Sequence, residues 1–245
     1  MKILKFTKLR NSMYKLTLED KSTIKVHEDL ILKKDMLLTK EIDDETMNNI
    51  EVLNNNLSAY DLAIRYISTR YRSVFEVRMY LKNKEIEYDT INDVIKRLIK
   101  ERYLDDKIYT EAFINDKINF SNDGPFKIRK ELENAKVDDN IINEYLDKYD
   151  FDLEKDKLEK LIPKYMKTIR NKSYTIMKSK VINHFNDLGY HQSLVNEVLA
   201  LQEYDDSLSY KTEYEKVKKR LSRKYSGEEL EYKIKQSLYQ KGYRQ

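Results

Sequence analysis

Apolar residues recur at helical spacing through most of the chain after residue 58. The clearest stripe follows Asp89 and consists of Ile91, Val94, Ile95, Leu98 and Ile99. Ser58-x-x-Asp61 and Ser73-x-x-Glu76 have the spacing of capping boxes, in which a serine and an acidic residue satisfy the first amides of a helix. We therefore predict helices that start at Ser58, Ser73 and Asp89.

The first part of the chain has a different pattern. Residues 3–9, 13–18 and 24–26 alternate apolar and polar side chains, and turn residues separate them. This pattern predicts a small antiparallel sheet. Asp43 or Asp44 then begins a polar connecting helix that is expected to end near Asn56.

The helical part repeats itself. Leu81 is followed at fixed offsets by an apolar residue, a capping residue and two further apolar residues, namely Ile86, Asp89, Ile91 and Ile95. The same offsets hold after Leu132 and Phe185, and Leu238 shares the first of them. These anchors, at 81, 132, 185 and 238, lie 51, 53 and 53 residues apart, which indicates a helical tandem repeat.

We predict a mostly α protein in which tandem three-helix repeats form an elongated, curved array, with a small N-terminal β-rich extension. Helices packed about 8–10 Å apart would let four repeats extend on the order of 60–100 Å. The last repeat ends at Gln245 after two predicted helices. A naturally truncated repeat and a shortened chain would both explain the missing third helix. The predicted boundaries are 1–42 (extension), 43–57 (connecting helix), 58–104, 105–153, 154–206 and 207–245 (repeats).

Composition excludes several classes of protein. The chain has four Gly, two Pro and 37% charged residues, which favours long stretches of helix with short turns. It has no cysteine, so a disulfide framework, a thiolate nucleophile and a cysteine zinc site are all excluded. No apolar run reaches the roughly 18 residues of a membrane span, and no signal-type segment is present, so we expect a cytoplasmic protein.

The net charge of +4 is unevenly distributed. Basic and acidic residues balance over 1–57, while 58–150 has 17 basic against 19 acidic residues and 151–245 has 20 against 14. Residues 161–186 include six bases and no carboxylate. Such a segment favours a polyanionic partner, with a solvated helix face as the alternative.

No catalytic or metal constellation is evident. Asp105-Asp106 could be a carboxylate pair, but its position before a new helix favours capping. The histidines are His27, His184 and His191, and the last two are not spaced to place metal ligands on adjacent helical turns. We expect no enzyme activity, no cofactor and no metal.

Basic residues recur around the second helix of the repeats and are the candidate contacts for phosphates or an acidic protein surface. Ordinary surface charge is the alternative, and stacking of tyrosines on single-stranded bases is a further possibility. The candidates are Arg70, Arg72, Arg78, Lys82, Lys127, Arg129, Lys130, Arg170, Lys172, Lys178, Lys180, Lys218, Lys219, Arg223, Lys224, Lys233 and Lys235.

Three blocks within residues 58–150 resemble the RecX family in order and spacing. They are Arg72-Ser73-x-x-Glu76-Val77-Arg78-x-x-Leu81, Tyr103-Leu104-Asp105-Asp106-x-x-Tyr109-x-x-x-Phe113 and Gly124-Pro125-x-x-Ile128-x-x-Glu131-Leu132. The later repeats resemble longer RecX forms in architecture alone. The chain departs from the family pattern at Lys117, often Arg, at Asp123, commonly a base, and at Ala135-Lys136, usually Lys-Gly.

The resemblance implies a three-helix-repeat regulator, expected to be a monomer, that lies in the groove of the RecA–DNA filament. It would modulate, and most readily inhibit, the recombinase in recombination, DNA repair and the SOS response, with the basic C-terminal repeats contacting single- or double-stranded DNA. Two alternatives remain open: a helical-repeat protein that binds DNA independently of the recombinase, and a scaffold unrelated to DNA.

Overall fold

A computed structural model describes residues 1–244 as a mostly helical chain with a small sheet at its start. The predicted fold class is confirmed, with tandem three-helix repeats after an N-terminal antiparallel sheet. The elements are β1 (Ile3–Lys8), β2 (Met13–Leu18), β3 (Thr23–His27), α1 (Glu28–Lys33), α2 (Met36–Thr39), α3 (Asp44–Asn48), α4 (Ile50–Ile67), α5 (Val74–Asn83), α6 (Tyr88–Lys100), α7 (Asp106–Phe120), α8 (Pro125–Asn134), α9 (Asp139–Leu146), α10 (Phe151–Met166), α11 (Tyr174–Asp187), α12 (Gln192–Ala200), α13 (Ser207–Leu221) and α14 (Gly227–Gln240).

The chain forms two compact units. The first comprises Met1–Ala112 together with Ala135–Val137, and the second comprises Phe113–Asn134 and the residues from Asp138 onward. The first unit contains the sheet and the helices up to the start of α7. The second contains the remaining helices.

The sheet of the first unit has the strand order β1-β2-β3, and both pairings are antiparallel. A register shift between Ile3 and Lys5 leaves Leu4 exposed and exchanges the two faces of β1. Beyond this bulge, the apolar residues of the three strands face inward. There they pack with α1, α2 and the start of α4 in a core that includes Leu16, Val26 and Met36.

The connecting segment and the first helix of repeat 1 are one continuous helix, α4, which runs from Ile50 to Ile67. The predicted helix start at Ser58 is therefore wrong. Leu57 and Ala59 on either side of Ser58 are both buried, so packing holds this stretch in the helix despite its local capping signal. Asp43 does cap a helix, since its side chain accepts from the Thr46 amide, but that helix is the short α3.

Helices α4, α5 and α6 enclose the core of repeat 1. Ala59 and Ala63 of α4 allow close approach of Val77 and Leu81 of α5, and four apolar residues of α6 complete the cluster, namely Ile91, Val94, Ile95 and Leu98. Full burial of one such side chain contributes about 1.5–3 kcal/mol. Helix α6 starts one residue before Asp89, after the N-cap Glu87. Ile99, the last residue of the apolar stripe, was expected to be buried with the others but is 48% exposed, so that expectation is wrong.

The sequence repeat has a direct structural cause. At the end of α5 the amide of Ile86 donates to the carbonyl of Leu81, and Glu85 between them has a φ of 60°. This is the Schellman motif, in which an apolar contact joins the residues three before and two after the helix cap. The anchors Phe185 and Leu238 make the same bonds, with the amides of Tyr190 and Tyr243.

In the second unit, α10, α11 and α12 enclose a core around Leu158, Phe185 and Val195. Helices α13 and α14 share a smaller core of four buried residues, Val217, Ile234, Leu238 and Tyr243. The sequence Ser226-x-x-Glu229 also has the spacing of a capping box, but the Ser226 side chain makes no capping bond at the N-cap of α14, so this reading of the sequence is wrong.

Candidate nucleic-acid interface

The second helix of each repeat, which carries most of the candidate bases, begins at an N-cap position and has its apolar stripe buried. In repeat 1, Ser73 and Glu76 form the predicted capping box at the start of α5. Glu76 also pairs with Arg70 at 2.7 Å and with Arg72 at 3.6 Å. The two arginines are therefore gathered around one carboxylate at the N-terminus of the helix.

Arg72 is a packed residue. Its side chain is 13% exposed, and its guanidinium carbon lies 4.0 Å from the ring centre of Tyr66, which stacks on Tyr80. A cation held on an aromatic face inside a structure contributes to packing. Arg72 is therefore less available to a partner than Arg70, which is about half exposed.

Repeats 1 and 2 each have an arginine at an equivalent position of the second helix. Arg78 of α5 donates to Asn92 of α6 at 2.6 Å, and Arg129 of α8 donates to Asn143 of α9 at 2.5 Å. Both bonds fasten a second helix to the third helix of its own repeat. These two candidates therefore have a structural partner in place, whereas Lys82 and Lys130 are exposed.

Asp123 organises the bases at the start of α8. It is buried and accepts from Lys117 at 2.8 Å and from Lys127 at 2.6 Å. Burial alone would raise the pKa of the Asp123 carboxyl, but the hydrogen bonds from these two ammonium groups lower it below its usual range. The candidate Lys127 is thus engaged in an ion pair that the family's more common base at position 123 could not form.

The candidates of repeat 3 have no such partners. Arg170 and Lys172 lie in the loop after α10, and Lys178 and Lys180 lie on the exposed side of α11. Among residues 1–244, none of the four forms an ion pair. They belong to the segment that has no carboxylate, so no acidic neighbour in sequence offsets their charge.

The densest run of bases lies at the end of α13. Lys218 and Lys219 occupy its last turn, and Arg223 and Lys224 follow in the turn before α14. Lys216 and Arg220 extend this run beyond the candidates predicted from sequence, and the absence of any carboxylate between residues 216 and 224 is the signal that identifies both. Lys233 and Lys235 lie on α14. Bases in a last turn also offset the helix dipole, which is a structural role.

The other chemical candidates have structural roles. Asp105 accepts from the amide of Lys107 and so caps α7 as predicted, whereas Asp106 accepts from the amide of Val74 and so caps α5 instead. Burial raises the pKa of the Asp106 carboxyl. Both carboxylates are therefore engaged by amides at helix N-termini.

The three histidines lie in different surroundings. His27 is buried beside Asp61, and His191 contacts the buried Glu154 through both its amide and Nδ1. His184 stacks on Tyr165, and burial lowers the pKa of its imidazole. Over residues 1–244, no group of three or more His, Asp or Glu side chains could hold a metal ion. In the same part of the chain, no helix has the length and apolar character needed to cross a membrane.

These features define a tandem three-helix-repeat protein whose third and fourth repeats carry exposed bases, several of which form no ion pair within residues 1–244. Residues 59–98 match the first three-helix domain of RecX, and residues 105–146 match the second. The chain is 30% identical over 223 residues to the regulatory protein RecX of Oceanobacillus iheyensis, covering 89% of this chain and 82% of that one. The chain belongs to the RecX family of regulatory proteins.

Further similarities extend over most of the chain. The regulatory protein RecX of Lactococcus lactis is 33% identical over 234 residues, covering 92% of this chain and 86% of that one. A crystal structure of a regulatory protein RecX matches 81% of this chain and 98% of its own with a TM-score of 0.68 and 22% identity, which supports the fold. The crystal structure of RecX from Lactobacillus salivarius gives a TM-score of 0.55 at 26% identity, covering 60% of this chain and 95% of its own.

Proposed function

We propose that this chain binds the RecA–DNA filament along its groove and inhibits the recombinase in recombination, DNA repair and the SOS response. The observation that supports this proposal is the similarity to proteins described as regulatory protein RecX, which covers 89% and 92% of this chain and so extends well beyond the two matched domains. The action is non-catalytic, because it consists of occupying a surface of the filament. We further propose that the chain acts as a monomer in the cytoplasm.

The bases of the repeats supply the electrostatic part of this binding. Lysine and arginine pair with phosphates or with carboxylates on a protein surface, and an unpaired base gives up no existing ion pair when it does so. Arg170, Lys172, Lys178 and Lys180 are exposed and unpaired in the described part of the chain. Arg72, Lys127 and Arg129 are already bound internally. We therefore assign most of the DNA contact to repeats 3 and 4, and positioning on the recombinase to repeats 1 and 2.

Co-sedimentation with preformed recombinase–DNA filaments tests the binding. The wild-type chain should sediment with filaments and should remain in solution when the filaments are omitted. Leu132→Arg, which places a charge in a fully buried position, serves as an unfolded control. Failure of the folded wild-type chain to sediment at stoichiometric excess would contradict the proposal.

The second candidate function is DNA binding without the recombinase, which the carboxylate-free stretch of residues 161–186 favours. A pull-down of recombinase by this chain in nuclease-treated solution separates the two. Retention without nucleic acid supports a regulator that contacts the recombinase itself. Retention that disappears after nuclease treatment supports a protein that reaches the filament through DNA.

A further inference from the structure

The outer face of the N-terminal sheet has an unusual set of side chains. Between the bulge at Leu4 and the Met13–His27 pair, this face carries three lysines and three threonines, and the opposite face, apart from Lys8, is apolar and packed in the core. We call these side chains the Lys/Thr face. Its members are Lys5, Thr7, Lys15, Thr17, Thr23 and Lys25.

The register brings the three lysines close together. Lys15 of β2 pairs directly with Lys25 of β3, and Lys5 of β1 lies one pair along from it. Adjacent strands are about 4.8 Å apart and a strand rises about 3.4 Å per residue, so the three side chains originate within about 12 Å of one another. In the part of the chain that is described, none of them forms an ion pair.

Such an arrangement lowers the stability of the sheet, and a bound anion would offset this cost. Like charges directly opposite on neighbouring strands are destabilising. Lysines on edge strands are a common means of preventing aggregation, which accounts for Lys5 in β1 and Lys25 in β3. It does not account for Lys15, because β2 is the central strand and both its edges are paired.

The chemistry of the face selects among anionic partners. A protein interface has a core rich in aromatic and apolar residues and is depleted in lysine, and a membrane-binding surface inserts apolar side chains. The Lys/Thr face has neither kind of side chain. Lysine ammonium and threonine hydroxyl groups are among the standard donors to phosphate oxygens in nucleic-acid complexes. The duplex backbone also has about one charge per 1.7 Å, so several phosphates can meet the three lysines at once.

We propose that the Lys/Thr face binds the phosphate backbone of nucleic acid without reading its sequence. This adds a second nucleic-acid surface, in the first unit, to the basic repeats of the second. The lysines supply charge and the threonine hydroxyls donate further hydrogen bonds. This binding involves the chain and nucleic acid alone and does not depend on any contact with the recombinase.

Filter binding of a labelled duplex 30-mer at several salt concentrations tests the proposal without recombinase. The triple variant K5Q/K15Q/K25Q removes the charges while keeping side chains of similar length. The slope of log K against log salt should shrink by about 0.9 per lost phosphate contact, or about 2 to 3 in total. Circular dichroism should give the same helix content and a melting temperature no lower than wild type, because the variant also removes the Lys15–Lys25 repulsion.

Two further variants make the result specific. K33Q/K96Q/K100Q removes the same charge from exposed helical positions of the same unit and should leave the slope within about 0.5 of wild type. K5R/K15R/K25R should retain the slope. An unchanged slope in the glutamine variant of the sheet, an equal fall in the helical control, or no duplex binding by the wild-type chain would each overturn the proposal. Loss of recombinase retention with unchanged DNA binding would instead identify a protein contact and also reject it.

Discussion

The backbones of Gly124 and Gly189 approach so closely that a Cβ atom on Gly124 would lie 2.5 Å from the carbonyl oxygen of Gly189. Gly124 precedes α8, Gly189 follows α11, and the amide of Gly124 donates to the carbonyl of Leu188 at 2.7 Å. The start of one second helix is therefore bonded to the end of the next. In repeat 3, Ser173 makes the corresponding bond through its hydroxyl, to the carbonyl of Lys241 after α14.

In repeats 1 to 3, the first residue of the second helix has no unpaired backbone amide. The amide of Val74 donates to the carboxylate of Asp106, and the amide of Tyr174 donates to Asp206, both at 2.8 Å. Pro125 stands at the same position of α8 and has no amide hydrogen, so it needs no carboxylate. Repeats 1 and 3 thus use a serine and an aspartate at this position. In repeat 2, Gly124 and Pro125 take their place, and the Gly124 backbone contacts the end of α11 directly.

The first prediction concerns this contact. Gly124→Ala should lower the free energy of unfolding by about 1–3 kcal/mol, because the added methyl group meets backbone atoms that cannot move aside without shifting a helix end. Urea denaturation followed by circular dichroism measures the change. Asn122→Ala, an exposed change two residues earlier, should have little effect. Equal stability of the two variants would contradict the close contact.

The second prediction concerns Lys136, which occupies the left-handed position after α8 with a φ of 56°. Gly189 and Gly242 occupy the corresponding positions of the later repeats. A side chain there costs about 1–2 kcal/mol, partly offset by the greater chain entropy of glycine. Lys136→Gly should therefore raise the stability by up to about 1 kcal/mol. Lys130→Gly, inside α8, should lower it by about 1 kcal/mol, and the same sign for both variants would reject this explanation.

Much of the fold followed from local pattern, and particular residues explain why. The offset from Leu81 to Ile86 is the apolar pair of a Schellman motif, and the same bond joins Tyr190 to Phe185 and Tyr243 to Leu238. The predicted helix start at Ser58 was wrong, because burial of Leu57 and Ala59 keeps this stretch inside α4 despite the local capping signal. The bond from Gly124 to Leu188 joins residues far apart in sequence, which no local pattern encodes.

The sequence predicted which basic residues lie around the second helices, but it did not predict their exposure or their partners. It could not distinguish Arg72, which lies against the ring of Tyr66, from the exposed Lys180. The partner of each base is set by tertiary contact. Asp123 was noted in the sequence as a departure from the family pattern, and the structure identifies its partners as Lys117 and Lys127.

The third prediction uses the lowered pKa of Asp123. A carboxyl whose pKa is lower in the folded state than its usual 3.8 stabilises the fold above that pH, and the contribution is lost as the pH falls through the folded value. The stability difference between wild type and Asp123→Asn should therefore be positive at pH 7 and should shrink below about pH 4. Urea denaturation at a series of pH values measures it.

Asp106 provides the contrasting variant. Burial raises its pKa, so the ionised form is less favourable in the folded state than in the unfolded state. Asn at this position still offers an oxygen to the amide of Val74. Asp106→Asn should therefore gain stability relative to wild type as the pH rises above about 4. A pH trend of the same sign for both variants would contradict these assignments.

The fourth prediction concerns the second unit's bases. Five exposed residues are changed to alanine together: Lys172, Lys178, Lys180, Arg223 and Lys224. DNA affinity should fall, and the salt slope should shrink by about 0.7–0.9 per lost contact, while folding is retained. Leu132→Ala is the control, since loss of this buried anchor should cost about 2–5 kcal/mol of stability. An unchanged salt slope with intact helicity would exclude these residues as phosphate contacts.

DNA-dependent ATP hydrolysis and strand exchange by RecA, titrated with the wild-type chain, test most directly the proposal that this chain restrains a recombinase filament. Both rates should fall with added protein until binding is stoichiometric, and the destabilised Leu132→Arg control should leave them unchanged. If both rates stay constant at stoichiometric excess of folded protein, the account of this chain as a recombinase regulator is wrong.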